Sequence, residues 1–141
     1  MRRFNFNLEK ILQLRKFREE ECKIVLGQAV SVLNMIENKI KETAMKHHNA
    51  TEQRFNDPAE MVSWNIYVLR LEQEAENLSQ QAAQAQLVVE EKRDLYLEAL
   101  KDLKALEKLK EKQQNEYRKE MLKKEMNAVD ELTAARRIAG V

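Results

Sequence analysis

Few side chains in this sequence have the chemistry to act as ligands or catalysts: two histidines, one cysteine and scattered carboxylates. His47 and His48 are neighbours, so on a helix they point about 100° apart and cannot share one metal ion. His48 and Glu52 are four residues apart and offer two ligands from one helix face, but no third lies nearby in the sequence. Solvated side chains are the simpler interpretation, and we expect no metal site.

Cys22 is the single cysteine, so it forms no disulfide within the chain, which fits a reducing compartment. It lies on an apolar stripe without a nearby histidine, as a small core residue does more often than a nucleophile. Two isolated glycines do not build a phosphate-binding loop. We therefore expect no catalytic residue and no cofactor, and hence no enzyme.

The main structural element that the sequence predicts is a helix with a strict heptad pattern. Thirteen of the fourteen a and d positions between Met61 and Leu106 are apolar. Position a is Met61, Val68, Ala75, Ala82, Val89, Tyr96 and Leu103, and position d is Trp64, Leu71, Leu78, Ala85, Lys92, Ala99 and Leu106. A seam of period 3.5 sustained in this way predicts supercoiling against a second helix. Such a narrow seam leaves no pocket for chemistry.

Composition agrees with long helices, because 35% of the residues are charged and 6% aromatic, with two glycines and one proline. The first residues, MRRFNFN, have no apolar segment typical of a signal peptide. No run approaches the roughly 20 apolar residues that span a bilayer. We expect a cytoplasmic protein that does not insert directly into a membrane.

Helix one is predicted over about residues 7–54. Asn7 is a suitable N-cap, and Phe6 and Ile11 then occupy the two positions of a hydrophobic staple. We expect Gly27 to permit close approach of the partner helix rather than to form a hinge. The stripe expected to face helix two is Ile11, Leu14, Arg18, Cys22, Val25, Ala29, Val32, Ile36, Ile40 and Thr43.

A turn at about residues 55–58 precedes helix two, predicted over about 58–138. Asp57 as N-cap, Pro58 at the first helical position and Glu60 at the third are typical of a helix start. Gly140 is suited to cap the other end. The sequence thus predicts an all-α fold: a single long antiparallel two-helix coiled-coil hairpin over residues 1–141.

If the chain folds back at about residue 57, two residues lie side by side when their numbers add to about 114. Leu8 should therefore meet Leu106. The seam fades beyond this point into Lys110, Gln113 and Tyr117. Helix two should therefore overhang helix one at the open end of the hairpin. A weaker apolar stripe continues there through Leu122, Met126, Val129 and Leu132. It is either a contact surface or a frayed, self-associating segment.

Charge is segregated along the chain although the net charge is only +1. Residues 1–18 carry six basic and one acidic side chains, and residues 101–124 carry nine and five. Residues 19–100 carry eight basic and fifteen acidic side chains. The hairpin is therefore basic at its open end and acidic toward the turn, which allows orientation in a partner's field. A basic groove with interleaved aromatics is missing, so we expect no nucleic-acid binding.

Several segments together resemble one protein family. Residues 4–15, FNFNLEKILQLR, are similar to the start of FliJ, a soluble component of the bacterial flagellar type III protein-export apparatus. Residues 64–72 resemble the aromatic patch that follows the turn in this family. Residues 106–112 and the later DEL at 130–132 with Arg136 resemble its C-terminal stretch. The patch departs from the family pattern at Met61, where a second bulky aromatic is often seen.

The resemblance implies a non-enzymatic coupling protein, similar to the stalk of rotary ATPases and acting as a monomer. It would sit at the cytoplasmic face of the flagellar basal body and would also escort export chaperones. At the open end it would enter the export ATPase hexamer. The residues assigned to that contact are Lys108, Lys112, Tyr117, Lys119, Leu122, Met126 and Val129. The turn-proximal half would contact the export-gate membrane protein through Trp64, Ile66, Tyr67 and Leu71.

Other interpretations fit the same pattern. The runner-up within the same class is the stalk of a virulence-type secretion system or of a rotary ATPase. A passive scaffold coiled coil is the alternative from another class, and it should dimerise through a continuous seam without an asymmetric overhang. Trp64 itself is either seam packing near the turn or part of a docking patch.

Overall fold

A computed structural model describes residues 3–140 of the chain. Helix α1 covers Glu9–Thr51 and helix α2 covers Pro58–Ile138, and no strand occurs within the described residues. The helices pack antiparallel, since Glu9 contacts Lys110 whereas His47 contacts Glu72. The predicted all-α hairpin is thus confirmed. No helix within residues 3–140 is both long and apolar enough to cross a membrane.

Helix α1 begins one residue later than an Asn7 cap would require. The Leu8 carbonyl accepts the first α-helical bond, from the Leu12 amide at 2.8 Å, so Leu8 occupies the N-cap position. With Leu8 as the N-cap, Phe6 and Ile11 no longer occupy the two staple positions, and Ile11 is 43% exposed. Phe6 instead lies in a buried cluster that includes Leu12. Phe6 therefore packs in one cluster with Leu12 of α1 and with Leu103 and Leu106 of α2.

The connection between the helices spans residues 52–57, since α1 ends at Thr51, three residues earlier than expected. Asp57 Oδ1 accepts the Ala59 amide at 3.1 Å, and the Asp57 carbonyl accepts the Met61 amide at 3.2 Å. These two bonds make Asp57 the N-cap of α2, as predicted from the DPAE motif. At the other end Gly140 has φ 73°, the left-handed conformation of a helix cap.

The heptad frame of α2 describes its packing well. From Trp64 to Leu106, every a and d residue except Ala75 is buried or half-buried. Met61, the first position of the frame, is 50% exposed and lies outside the packed region. Lys92 is half-buried and lines one groove with Cys22, the residue expected to face it.

The apolar stripe of α1 differs from the predicted one. Five of the predicted residues are exposed: Ile11, Leu14, Arg18, Val25 and Val32. In each case the next residue along the chain is buried or half-buried instead. The seam of α1 is Leu12, Arg15, Glu19, Cys22, Leu26, Ala29, Leu33, Ile36, Ile40, Thr43, His47 and Ala50. Its spacing alternates strictly between three and four residues, as it must in a supercoiled pair, whereas the predicted stripe followed the straight helix of 3.6 residues per turn.

Gly27 neither bends α1 nor admits α2. The helix is continuous through this position, and a Cβ added to Gly27 would meet nothing within 4 Å. The expectation that this glycine permits close helix approach was therefore wrong. Gly27 lies on the solvent side, one residue after the seam residue Leu26.

The chain forms two compact units, each described here by itself. The terminal unit contains residues 3–19 and 99–140 of the part that the structure describes. Its core is the cluster of Phe6, Leu12, Leu103 and Leu106, against which Phe4 and Leu8 pack. Leu8 thus meets the neighbourhood of Leu106, as expected.

Polar contacts fix the register in the terminal unit. Arg15 Nη1 donates to the Asp102 carbonyl at 2.9 Å, and Lys110 Nζ donates to Glu9 Oε2 at 2.9 Å. The predicted fold-back would have placed Ala99 beside Arg15. Both partners on α2, Asp102 and Lys110, therefore lie about one helical turn later in the chain than that fold-back predicts. The packing also extends past the expected end of the seam, because Phe4 and Tyr117 stack with ring centroids 5.6 Å apart.

The turn unit covers Glu20–Glu98. Its buried side chains follow the seam and are Leu33, Thr43, Ala50, Leu71, Leu78 and Val89. His47 Nε2 lies 3.3 Å from Glu72 Oε1, which places the start of this seam on α2 opposite the last turns of α1. Burial of apolar side chains along this line stabilises the turn unit, since its buried residues all lie there.

Candidate partner-binding surfaces

The first candidate surface, the turn patch, consists of Trp64, Ile66 and Tyr67 at the start of α2. Ile66 is 48% exposed and Tyr67 is 46% exposed, so both present apolar surface to solvent. Leu71, predicted with them, is 4% exposed and lies in the core of the turn unit. It occupies a d position, so it holds α2 against α1 and is not available to a partner.

Trp64 lies in the seam near the turn and is also part of the candidate surface, the two roles that its sequence position suggested. Its indole Nε1 donates to the Ala50 carbonyl at 2.5 Å, near the end of α1. The Phe55 ring, from the connection, lies 5.8 Å from the Trp64 ring and is tilted by 58°. The tryptophan is only partly buried, so it closes the seam at the turn and also contributes to the surface.

Two further apolar residues adjoin the turn patch and were not predicted as contacts. Val62 is 60% exposed and Leu69 is 64% exposed. With Ile66 they follow the spacing i, i+4 and i+7, which places all three on one face of α2. All three residues lie outside the a and d positions, so the heptad pattern does not identify this face.

The second candidate surface is the overhang, defined as residues 122–138 of α2. Every described residue from Leu122 onward is exposed. Leu122, Met126 and Val129 are 59%, 67% and 60% exposed, and Leu132 is 65% exposed. The spacing of these four residues places them along one helix face. The predicted overhang is confirmed, and it carries an apolar stripe with no partner among the described residues.

The three predicted lysines lie together on the surface of α2 ahead of the overhang. Lys108, Lys112 and Lys119 are exposed and line one shallow groove. Glu111 and Glu116 line the same groove, so the positive field there is partly compensated. The lysines avoid the seam, because each is offset from the a and d frame.

Tyr117 differs from the other predicted residues of the open end. It is half-buried and its ring packs against Phe4, so the segment before α1 covers part of it. Phe4 and Tyr117 line a surface groove together with Lys119 and Lys123. Tyr117 therefore contributes an edge of the candidate surface rather than its centre.

His47 lies half-buried in the seam of α1, whereas His48 is exposed. His48 Nε2 lies 3.2 Å from Glu52 Oε1 within one helix face, and His47 pairs with Glu72. Within residues 3–140 no three histidine, cysteine or acidic side chains come close enough together to hold a metal ion. Cys22 is a half-buried free thiol in the seam of α1.

Comparison with known proteins gives one match. A family model described as flagellar FliJ protein matches residues 4–140. The match includes both helices, the connection, the turn patch and the overhang. No curated protein and no solved structure matches the chain.

Proposed function

Since the chain belongs to the FliJ family of flagellar export-associated proteins, we propose that it couples an export ATPase to the export gate without catalysing a reaction itself. In this proposal the overhang and the neighbouring lysines bind the ATPase hexamer, and the turn patch contacts the export-gate membrane protein. The protein acts as a monomer at the cytoplasmic face of the basal body, where it also meets export chaperones.

The observation that carries this proposal is the overhang. Its stripe of four apolar side chains, each at least 59% exposed, is a large apolar area for a helix without a partner of its own. Exposed apolar stripes of this kind are typical of protein-binding surfaces, where methionine and leucine adapt to a groove or lumen. A hairpin that served only as a scaffold would gain nothing from an unpaired α2.

The distribution of charge also supports binding of the ATPase at the open end of the hairpin. Residues 101–124 carry nine basic against five acidic side chains, and Lys108, Lys112 and Lys119 are free to face a partner. A basic surface of this kind is attracted to an acidic lumen and increases the rate of encounter. The excess of acidic residues in 19–100 makes the opposite orientation of the hairpin in such a ring unfavourable.

The test is charge reversal of the three lysines. Lys108→Glu, Lys112→Glu and Lys119→Glu together should weaken binding to the purified export ATPase at least several-fold, because attraction becomes repulsion. Binding of the native protein should also weaken as salt increases. Surface plasmon resonance measures both effects, and circular dichroism should show unchanged helicity.

The matched control is a triple reversal elsewhere: Lys39→Glu, Lys41→Glu and Lys46→Glu. These lysines are exposed on α1 in the turn unit, so the control makes the same change of net charge. It should leave ATPase binding within about twofold of the native protein. Equal loss in both variants would show a non-specific effect of net charge, and no loss in either would exclude the lysines as the docking element.

A further inference from the structure

A groove beside the turn patch has a composition that the family assignment does not explain. Three aromatic side chains and one carboxylate line it: Phe55, Trp64, Tyr67 and Glu60. Its remaining lining residues are small or uncharged: Gln53, Ala59 and Ser63. We infer that this groove binds an arginine side chain presented by a partner protein. The inference rests on the proposed docking at the turn and adds the chemistry of the partner there.

The sequence places these groups together for a simple geometric reason. Glu60, Trp64 and Tyr67 are at positions i, i+4 and i+7 of α2, so they share one helix face. Phe55 reaches the same face from the connection, and its ring centroid lies 5.8 Å from that of Trp64. The groove is therefore formed within the turn unit by the first three turns of α2 and the chain just before them.

Trp64 gives the groove a fixed wall. The bond from its Nε1 to the Ala50 carbonyl holds the indole to the last turn of α1. Phe55 is half-buried, whereas Tyr67 is 46% exposed and so leaves the groove accessible. Rings held in this way lose little conformational entropy when a ligand stacks on them.

A cation is the ligand that suits these groups. Aromatic ring faces attract cations through their quadrupole. Glu60 makes no ion pair with any described residue, so its carboxylate is free to accept from a bound donor. The excess of acidic over basic side chains in residues 19–100 adds a favourable field.

Arginine fits better than lysine. A planar guanidinium stacks on an indole or phenol ring while its edge donates two hydrogen bonds to one carboxylate. The ammonium of lysine is more strongly hydrated and does not stack, so it would use only part of the groove.

The test uses the single tryptophan as a reporter. In the full-length protein Trp64 gives one indole Nε1–H resonance in a proton–nitrogen NMR spectrum. The probe is the tripeptide acetyl-Gly-Arg-Gly-amide, and its neutral counterpart carries citrulline, which keeps the planar shape without the charge. We expect a saturable shift with the arginine peptide, with a Kd in the millimolar range as suits one side chain, and at least threefold weaker binding of the citrulline and lysine peptides.

Variants localise the effect. Glu60→Gln should weaken binding of the arginine peptide three- to tenfold, and Tyr67→Leu should weaken it while keeping an apolar side chain. Glu74→Gln removes an exposed carboxylate of α2 outside the groove and should change nothing. Equal shifts by arginine and citrulline peptides, or unchanged binding in Glu60→Gln, would overturn the inference. These results would leave ATPase binding through the overhang unaffected, so they are distinguishable from failure of the proposed function.

Discussion

The Glu9–Lys110 ion pair is the clearest example of a single contact with a measurable consequence. Lys110 Nζ lies 2.9 Å from Glu9 Oε2, and Gln13 Nε2 donates to the other carboxylate oxygen at 3.1 Å. The hydrogen bond from Lys110, and next that from Gln13, lower the pKa of Glu9 below its ordinary value of about 4.5. Lys110 stands at an a position, so this pair replaces an apolar contact where the strict seam ends.

We predict that Lys110→Gln raises the pKa of Glu9 toward its ordinary value, because the variant removes the ammonium. The folded pKa of Glu9 is lower than the unfolded one, so the pair adds stability at neutral pH. That contribution is lost as the pH falls below about 4.5 through the folded pKa. Carbon NMR of the Glu9 carboxyl measures the shift, and Lys108→Gln, at an exposed site nearby, is the control. An unchanged Glu9 pKa in Lys110→Gln would contradict the assigned contact.

Gly27 offers a second test at the residue scale. An alanine Cβ would meet nothing within 4 Å, and the glycine lies in the interior of α1. Gly27→Ala should therefore stabilise the protein by about 0.5–1 kcal/mol, mainly because the unfolded chain loses conformational freedom. Urea denaturation monitored by circular dichroism provides the free energy of unfolding. A loss of stability would mean that another helix approaches closely at this position.

At the scale of the helices, the two elements differ in how plainly they encode their packing face. α2 has one apolar frame, and its side chains at a and d are buried or half-buried along nearly its full paired length. α1 has adjacent apolar pairs such as Ile11 with Leu12 and Val32 with Leu33, so two frames compete. Only one keeps the period of 3.5 that a supercoil requires, although it carries Arg15 and Glu19.

A pair of variants distinguishes the two frames of α1. Leu12 is 1% exposed in the core of the terminal unit, whereas Leu14 is 67% exposed. Leu12→Ala should lower the free energy of unfolding by about 2–5 kcal/mol, because it removes buried methyl groups and leaves a cavity. Leu14→Ala should change it by no more than about 0.5 kcal/mol. Thermal and urea denaturation measure the stability of both variants. A larger loss of stability in Leu14→Ala than in Leu12→Ala would support the frame predicted from the sequence.

At the scale of the whole molecule, the packed seam and the candidate binding surfaces lie largely in different parts of the chain. Apart from Phe6, which precedes α1, the buried residues lie in the seam, and the overhang contains none among those described. The turn patch has residues of both kinds: Trp64 is half-buried and closes the seam, whereas Ile66 and Tyr67 face solvent. We therefore expect that the overhang, and Ile66 and Tyr67 of the turn patch, can be altered without loss of the fold.

Removing residues 122–141 tests this separation. We expect the melting temperature to change little, because helical turns without tertiary packing add little stability. Affinity for the export ATPase should fall at least about tenfold, or ~1.4 kcal/mol. A shorter deletion, of residues 133–141, keeps Leu122, Met126 and Val129 and should retain most of the binding. If the longer deletion binds normally, the overhang is not the docking element.

The sequence by itself determined the helices, the Asp57 and Gly140 caps, the seam of α2 and the exposed overhang. These features depend on local chemistry: a proline after an N-cap, a glycine at positive φ, and a strict repeat of apolar residues. It also identified Trp64, Ile66 and Tyr67 as surface candidates near the turn. The family match extends over residues 4–140 and so includes these same segments.

Only the tertiary structure decided the frame of α1, the register and the burial of Leu71. The choice between Ile11 and Leu12 depends on supercoiling, which is a property of the helix pair and not of α1 alone. The register depends on where Arg15 and Glu9 find partners on α2, at Asp102 and Lys110. These are contacts between residues far apart in sequence, so no local pattern specifies them.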